Sequence, residues 1–205
     1  MFVLGLTGSI GMGKSTAANM LRAMGVPVHD SDATVHGLFA FDRVLRDAVE
    51  ARFPGVVTQD GVDRQALGAA VFGDDAARRD LEAIVHPRVR AAAEAFVRHY
   101  HRQRAALVVL DIPLLYETGG EDRVDGVIVV SAPAAMQRQR VMARPGMDDE
   151  RFAGILAAQT PDREKRRRAD FVVETGLGKA YTFRRLKRII MAIRTAAQSG
   201  PLGTI

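Results

Sequence analysis

The sequence contains no cysteine, which removes disulfides, thiol nucleophiles and thiolate metal sites in one step. It also lacks any segment approaching the roughly 18 consecutive apolar residues that a membrane span requires, so no membrane partner is expected. The opening residues, MFVLGLTGSIGMGKST, carry no charged leader before their apolar run and lead straight into a glycine motif. A secretory signal is therefore not expected, and the expected compartment is the cytosol. Lysine is scarce as well: of 29 basic residues only Lys14, Lys165, Lys179 and Lys187 are lysine. Arginine holds nearly every position where either cation would serve, so a lysine inside a functional motif is informative.

With 47% hydrophobic and 26% charged residues the composition lies in the ordinary soluble range. A chain of 205 residues suits one domain, with a core able to bury roughly 70% of the unfolded chain's surface. The formal charge of +5 points to an anionic partner, without separating a nucleotide from a nucleic acid or an acidic lipid surface.

Residues 2–7 form a short apolar run ended by glycine, the pattern of a strand buried on both faces of a parallel sheet. Ser15 to Met24 then has helical spacing in Ala18, Leu21 and Met24, with Gly25 as a stop. Val26 to His29 reads as a second strand, and Ser31 or Asp32 is placed to cap a helix from about Ala33. From there to Tyr100 the pattern is mostly helical, with breaks expected at Phe53-Pro54-Gly55, Gly61 and His86-Pro87. Further strands are expected at Ala106–Asp111, Gly126–Val130 and Phe171–Val173, and helices at Pro133–Arg144, Asp149–Gln159 and Lys179–Thr195. Short apolar strands alternating with helices predict an α/β architecture with a parallel, about five-stranded sheet covered on both faces. The tail Ser199–Ile205 is expected to fray.

The strongest chemical signal is GSIGMGKS, Gly8 to Ser15, which satisfies GxxxxGK[ST] between a predicted strand and a predicted helix. Glycines such as Gly8, Gly11 and Gly13 let backbone amides converge on a phosphate, and the helix N-terminus adds unpaired N–H groups. Lys14 is the expected bridge between the β- and γ-phosphates of ATP, and the Ser15 hydroxyl an expected Mg2+ ligand. Met12 and Thr16 complete the expected ATP-binding stretch. The fold class that follows is a three-layer P-loop kinase fold, and the expected activity is ATP-dependent phosphoryl transfer.

Beyond this loop, VPVHDSD, DRQALGAAVF (Asp63 to Phe72), LEAIVHPRV (Leu81 to Val89), DIPLLYE (Asp111 to Glu117) and QRQRVMAR (Gln137 to Arg144) follow one another in order. In these stretches the chain resembles the bacterial dephospho-CoA kinases over nearly its whole length. The resemblance implies transfer of the γ-phosphoryl of ATP to the ribose 3′-hydroxyl of dephospho-CoA, giving coenzyme A and ADP. It implies a core of about residues 1–32 and 104–198, an inserted helical acceptor-binding lobe of about 33–103, and a lid of about 138–165. Small-molecule partners, ATP and dephospho-CoA, are expected, with no nucleic acid; oligomeric state is left open.

Roles follow from that chemistry. Asp32, after the second strand, is the candidate for accepting or orienting the 3′-hydroxyl proton; its other reading is a helix cap, and Asp30 stands behind it. Asp111, ending an apolar strand, is the candidate second metal ligand, and its plainer reading is an ordinary strand-end residue. Arg140 and Arg144 match the family's QxxRxxxR pattern; at i and i+4 they share a helix face, where arginines of a lid would neutralise the transferring phosphoryl. A solvated surface is their alternative reading. Arg64, His86, Pro113, Leu114 and Glu117 are candidate walls of the acceptor site, with Leu114 and Leu115 expected beneath the adenosine; His86 reads equally as a structural helix-end residue. Where many relatives carry an asparagine near the adenine this chain has Glu174-Thr175-Gly176, so Thr175 implies weak side-chain reading of the donor base. Two rival readings remain: another P-loop small-molecule kinase acting on a nucleoside monophosphate, shikimate or gluconate, and a non-catalytic P-loop protein binding nucleic acid through the basic run Arg163–Arg168.

Overall fold

A computed structural model describes residues 1–198; the expected fraying of Ser199–Ile205 lies outside the described residues. In chain order the elements are β1 (Phe2–Thr7), α1 (Lys14–Ala23), β2 (Val28–Asp30), α2 (Ser31–Phe41), α3 (Arg43–Arg52), β3 (Val57–Thr58), β4 (Gly61–Val62), α4 (Arg64–Val71) and α5 (Asp75–Arg102). There follow β5 (Leu107–Asp111), β6 (Gly126–Ser131), α6 (Ala134–Met142), α7 (Asp149–Ala157), α8 (Asp162–Arg168), β7 (Phe171–Glu174) and α9 (Lys179–Gln198). The chain divides into two compact units, one of Met1–His29 with His99 onward and the other of Asp30–Arg98.

The first unit is an α/β domain of the P-loop kinase type, built on a five-stranded parallel sheet in the order β2-β5-β1-β6-β7. Its strands read as continuous apolar runs because both faces are covered. Leu4, Leu6, Leu107, Val109, Ile128 and Val130 pack on one side with Leu21 of α1 and Leu186, Ile189 and Ile190 of α9. On the other side Val127 and Val129 pack with Leu115 and Tyr116. β1 continues to β2 on one side of the sheet, while β6 and β7 lie on its other side, so the turn after β1 sits at the kind of strand-order reversal where such sheets bind ligands.

The second unit is mainly helical, with Phe39, Leu45, Val49, Phe53, Leu67 and Val85 in its core. Aspartates start its helices: the carboxylates of Asp30, Asp42 and Asp63 accept from Ala33, Leu45 and Gln65/Ala66 N–H respectively, satisfying amides that have no partner inside the helix.

Several expectations change. The cap of α2 is Asp30, not Ser31 or Asp32, because β2 runs to Asp30 and its carboxylate reaches the Ala33 amide. His86-Pro87 does not break a helix: α5 runs through Pro87. A proline there removes one N–H and crowds a carbonyl, but Leu81, Ile84, Val85 and Val89 all pack on the unit's core around that turn, and that packing holds the helix together. The antiparallel pair β3–β4 was not anticipated, since two-residue strands leave no periodicity to read. The basic run at 163–168 is itself helical, in α8.

Candidate active site

β1 ends at Thr7, buried in the sheet, and delivers the chain into the loop Gly8–Gly13 before α1 begins at Lys14. Gly13 occupies the N-cap with φ 89°, so no side chain blocks the first amides of the helix. Gly11 has φ 76°, and a Cβ there would lie 2.6 Å from Val141 Cγ2; only glycine meets both demands. Ser15 and Thr16 are exposed on the first turn of α1.

At the carboxyl end of the neighbouring strand β5, Asp111 is 2% exposed. Its Oδ1 lies 2.6 Å from Lys14 Nζ. A charge pair this enclosed is less screened than a surface pair, and it places a lysine and an acid side by side under the glycine loop. This is where the scarcity of lysine pointed.

The loop is gripped along its outer side. Gln137 Nε2 donates to the Ile10 carbonyl at 2.8 Å, and the Ile10 N–H donates to Gln159 Oε1 at 3.1 Å. Arg140 Nη1 donates to the Gly11 carbonyl at 3.2 Å, and the Thr175 hydroxyl donates to the Met12 carbonyl at 2.7 Å. Met12 is buried, and its thioether accepts the Ala132 N–H at 3.1 Å. Thr7 Oγ1 donates to the Pro113 carbonyl at 3.0 Å, tying the segment after β5 to β1.

Five of the expected roles shift. Arg140 does not stand free for a phosphoryl group: Nη1 also donates to Thr175 Oγ1 at 3.0 Å and Nη2 to the Thr175 carbonyl at 3.1 Å. Arg144 lies beyond the end of α6, exposed, so the shared helix face with Arg140 fails; the helix stops at Met142. The Thr175 hydroxyl is engaged beneath the loop, which removes the basis for reading it against a nucleotide base. Glu117, expected in the acceptor wall, turns to Lys165 Nζ at 2.8 Å and accepts the Thr160 N–H at 2.8 Å. Burial pushes the Glu117 carboxyl up, but Lys165 beside it and the amide bonds outweigh that and hold it below the usual glutamate range. Leu114 is 40% exposed, whereas Leu115 is wholly buried in the sheet core and is not a ligand wall.

The remaining acceptor candidates belong to the second unit. Asp32 is exposed on the first turn of α2. Arg64 opens α4 with Nη1 3.4 Å from His36 Nδ1, and His86 is half-buried within α5. Gln159 and Lys165 were missed. Lys165 carried the same signal as Lys14, a lysine in a chain that otherwise uses arginine, and its burial inside a basic run hid it.

A family model for dephospho-CoA kinase matches residues 2–178. The chain is 60% identical over 203 residues to a dephospho-CoA kinase of Paramagnetospirillum magneticum, covering 99% of this chain and 96% of that one. It is 60% identical over 178 residues to the dephospho-CoA kinase of Mesorhizobium japonicum, covering 87% and 89%. Among solved structures it resembles a Thermus thermophilus protein with TM-score 0.80 at 39% identity, over 93% of this chain and 96% of that one. It also resembles a dephospho-CoA kinase of Campylobacter jejuni with TM-score 0.71 at 25% identity, over 95% and 98%. A glycine cradle closed by a lysine–aspartate pair, and this likeness along nearly the full chain, lead to one conclusion: the chain belongs to the dephospho-CoA kinase family.

Proposed function

We propose that the chain carries out its family's reaction, phosphorylation of dephospho-CoA by ATP, at the cradle formed by Gly8–Thr16, Lys14 and Asp111. The observation that carries this reading is the Lys14–Asp111 pair, 2.6 Å apart beneath the glycine loop at the carboxyl ends of β1 and β5. The amides of Gly11, Gly13 and the first turn of α1 are assigned to the phosphates, and Lys14 to the charge on the β- and γ-phosphates. Asp111 and the Ser15 hydroxyl are assigned to Mg2+. They fit it: both are hard oxygen donors, and a magnesium bound through one carboxylate, one hydroxyl and substrate phosphates needs no larger protein cage. Bound there, the ion would supply charge neutralisation at the phosphates.

The acceptor reaction is assigned to the ribose 3′-hydroxyl. Its oxygen bonds to the γ-phosphorus as the bond from that phosphorus to the bridging β–γ oxygen breaks and ADP departs; Asp32 accepts or orients the hydroxyl proton. Arg64 and His86 are assigned to acceptor binding, with residues of about 33–103 as the acceptor lobe and 138–165 as the lid. Arg140 is assigned first to holding Gly11 and Thr175, from where its charge still raises the potential along the loop. The compartment we assign is the cytosol; no helix among the described residues is long and apolar enough to cross a membrane.

Purified protein incubated with ATP, Mg2+ and dephospho-CoA should yield coenzyme A and ADP in equal amounts, with the new phosphate on the 3′ position by phosphorus NMR. Phosphorylation of shikimate, gluconate or a nucleoside monophosphate in preference to dephospho-CoA would overturn the acceptor assignment.

A further inference from the structure

Behind the phosphate loop lies a chain of contacts that the roles above leave unused. The peptide joining Ser9 to Ile10 is held at both edges: its N–H donates to Gln159 Oε1 at 3.1 Å, and its carbonyl accepts the Met12 N–H at 3.1 Å. The next peptide is held through its carbonyl by Gln137 at 2.8 Å. Because a peptide unit is planar and rigid, fixing one edge of it aims the other. Two glutamines from outside the loop therefore set two successive planes of the turn that leads into Gly11 and Gly13.

Gln137 sits on a helix, but Gln159 does not: α7 ends at Ala157 and α8 starts at Asp162. A side chain on such a connecting segment needs a brace, and one is present next door. The Thr160 N–H donates to Glu117 Oε1 at 2.8 Å, and that oxygen is 2.8 Å from the ammonium of Lys165, whose side chain is completely buried. The Lys165 contact is an enclosed charge pair to one carboxylate oxygen, and the other, Glu117 Oε2, is buried with no partner among the described residues. Enclosing such a pair is costly, and an apolar pair of similar volume commonly serves stability as well or better. What an apolar pair cannot provide is an acceptor fixed at the Thr160 amide.

We propose that Gln159, braced through Thr160 by the Glu117–Lys165 pair, is a positioning residue that presets the phosphate loop for nucleotide. The inference rests on the reading that Gly8–Ser15 cradles the phosphates of ATP. It is tested by calorimetric titration with ADP, which needs no acceptor and so stands apart from the choice of dephospho-CoA. Q159L should bind ADP about two- to twelvefold more weakly, the range set by one hydrogen bond, with its melting temperature and its KM for dephospho-CoA unchanged. Two double variants separate the brace from mere packing. E117Q/K165M keeps an acceptor for Thr160 and should bind ADP like the wild type; E117L/K165M carries the same charge without that acceptor and should reproduce the Q159L loss. Wild-type affinity in Q159L, or equal affinities in the two double variants, would overturn the proposal. So would a Q159L protein in which stability and the KM values for both substrates worsen together. No ADP binding by the wild type would instead sink the phosphate-loop reading itself.

Discussion

Replacing Thr175 by valine tests whether this residue holds the phosphate loop or reads the nucleotide base. Valine keeps the β-branched shape and deletes only the hydroxyl, which donates to the Met12 carbonyl at 2.7 Å and accepts Arg140 Nη1 at 3.0 Å. Thr175 is 9% exposed, so water does not readily replace the lost partner. An unsatisfied buried carbonyl costs about 1–3 kcal/mol. For a chain of this size that corresponds to a fall in melting temperature of about 2–4 °C per kcal/mol. Thermal denaturation without ligand should show that drop, and the KM for ATP should rise as the Met12 peptide loosens. The ranking of ATP over GTP and CTP, measured by kcat/KM at fixed dephospho-CoA, should be the same in T175V as in the wild type, because the hydroxyl faces the loop. A variant of unchanged stability with an altered ATP:GTP ratio would refute this reasoning and return Thr175 to the base site.

Other outcomes follow from the same assignments. K14A should lower turnover by at least about 10²-fold, the usual scale for one electrostatic stabiliser, while circular dichroism shows the fold intact; near-normal turnover would remove Lys14 from the chemistry. D32N keeps the size of the side chain but loses its negative charge, so phosphoryl transfer should collapse while ADP affinity by calorimetry stays within a few fold; parallel loss of both would make Asp32 a structural or metal residue. Glu117 has its carboxyl held low in the folded protein by Lys165 and the Thr160 amide against the upward push of burial. Its contribution to stability is therefore present above the ordinary glutamate range and lost as pH falls through the lowered value. Melting temperature against pH should show a shallower acid limb in E117Q/K165M than in the wild type, and superimposable limbs would contradict the pairing.

The phosphate loop was legible because its chemistry is local. Gly11 and Gly13 are demanded by backbone angles, Lys14 and Ser15 follow by counting, and the strand and helix on either side announce themselves through a buried apolar run and a 3.6-residue period. The parallel sheet was legible for the same reason, since β1, β5 and β6 each read as continuous apolar segments. The continuous helix through Pro87 could not be read, because local rules forbid it and only packing of Leu81, Val85 and Val89 on the second unit's core permits it. The cap of α2 hinged on where β2 stops, a matter of strand pairing. Tertiary structure alone also assigned the polar side chains. Arg140 and Thr175 are 35 residues apart in the chain yet bond directly, Gln159 reaches Ile10 across 149 residues, and Glu117 meets Lys165 inside the protein. A glutamine, a threonine or an arginine serves many partners equally well in sequence. Which partner it takes depends on what folding brings within about 3 Å of it, the range of a hydrogen bond.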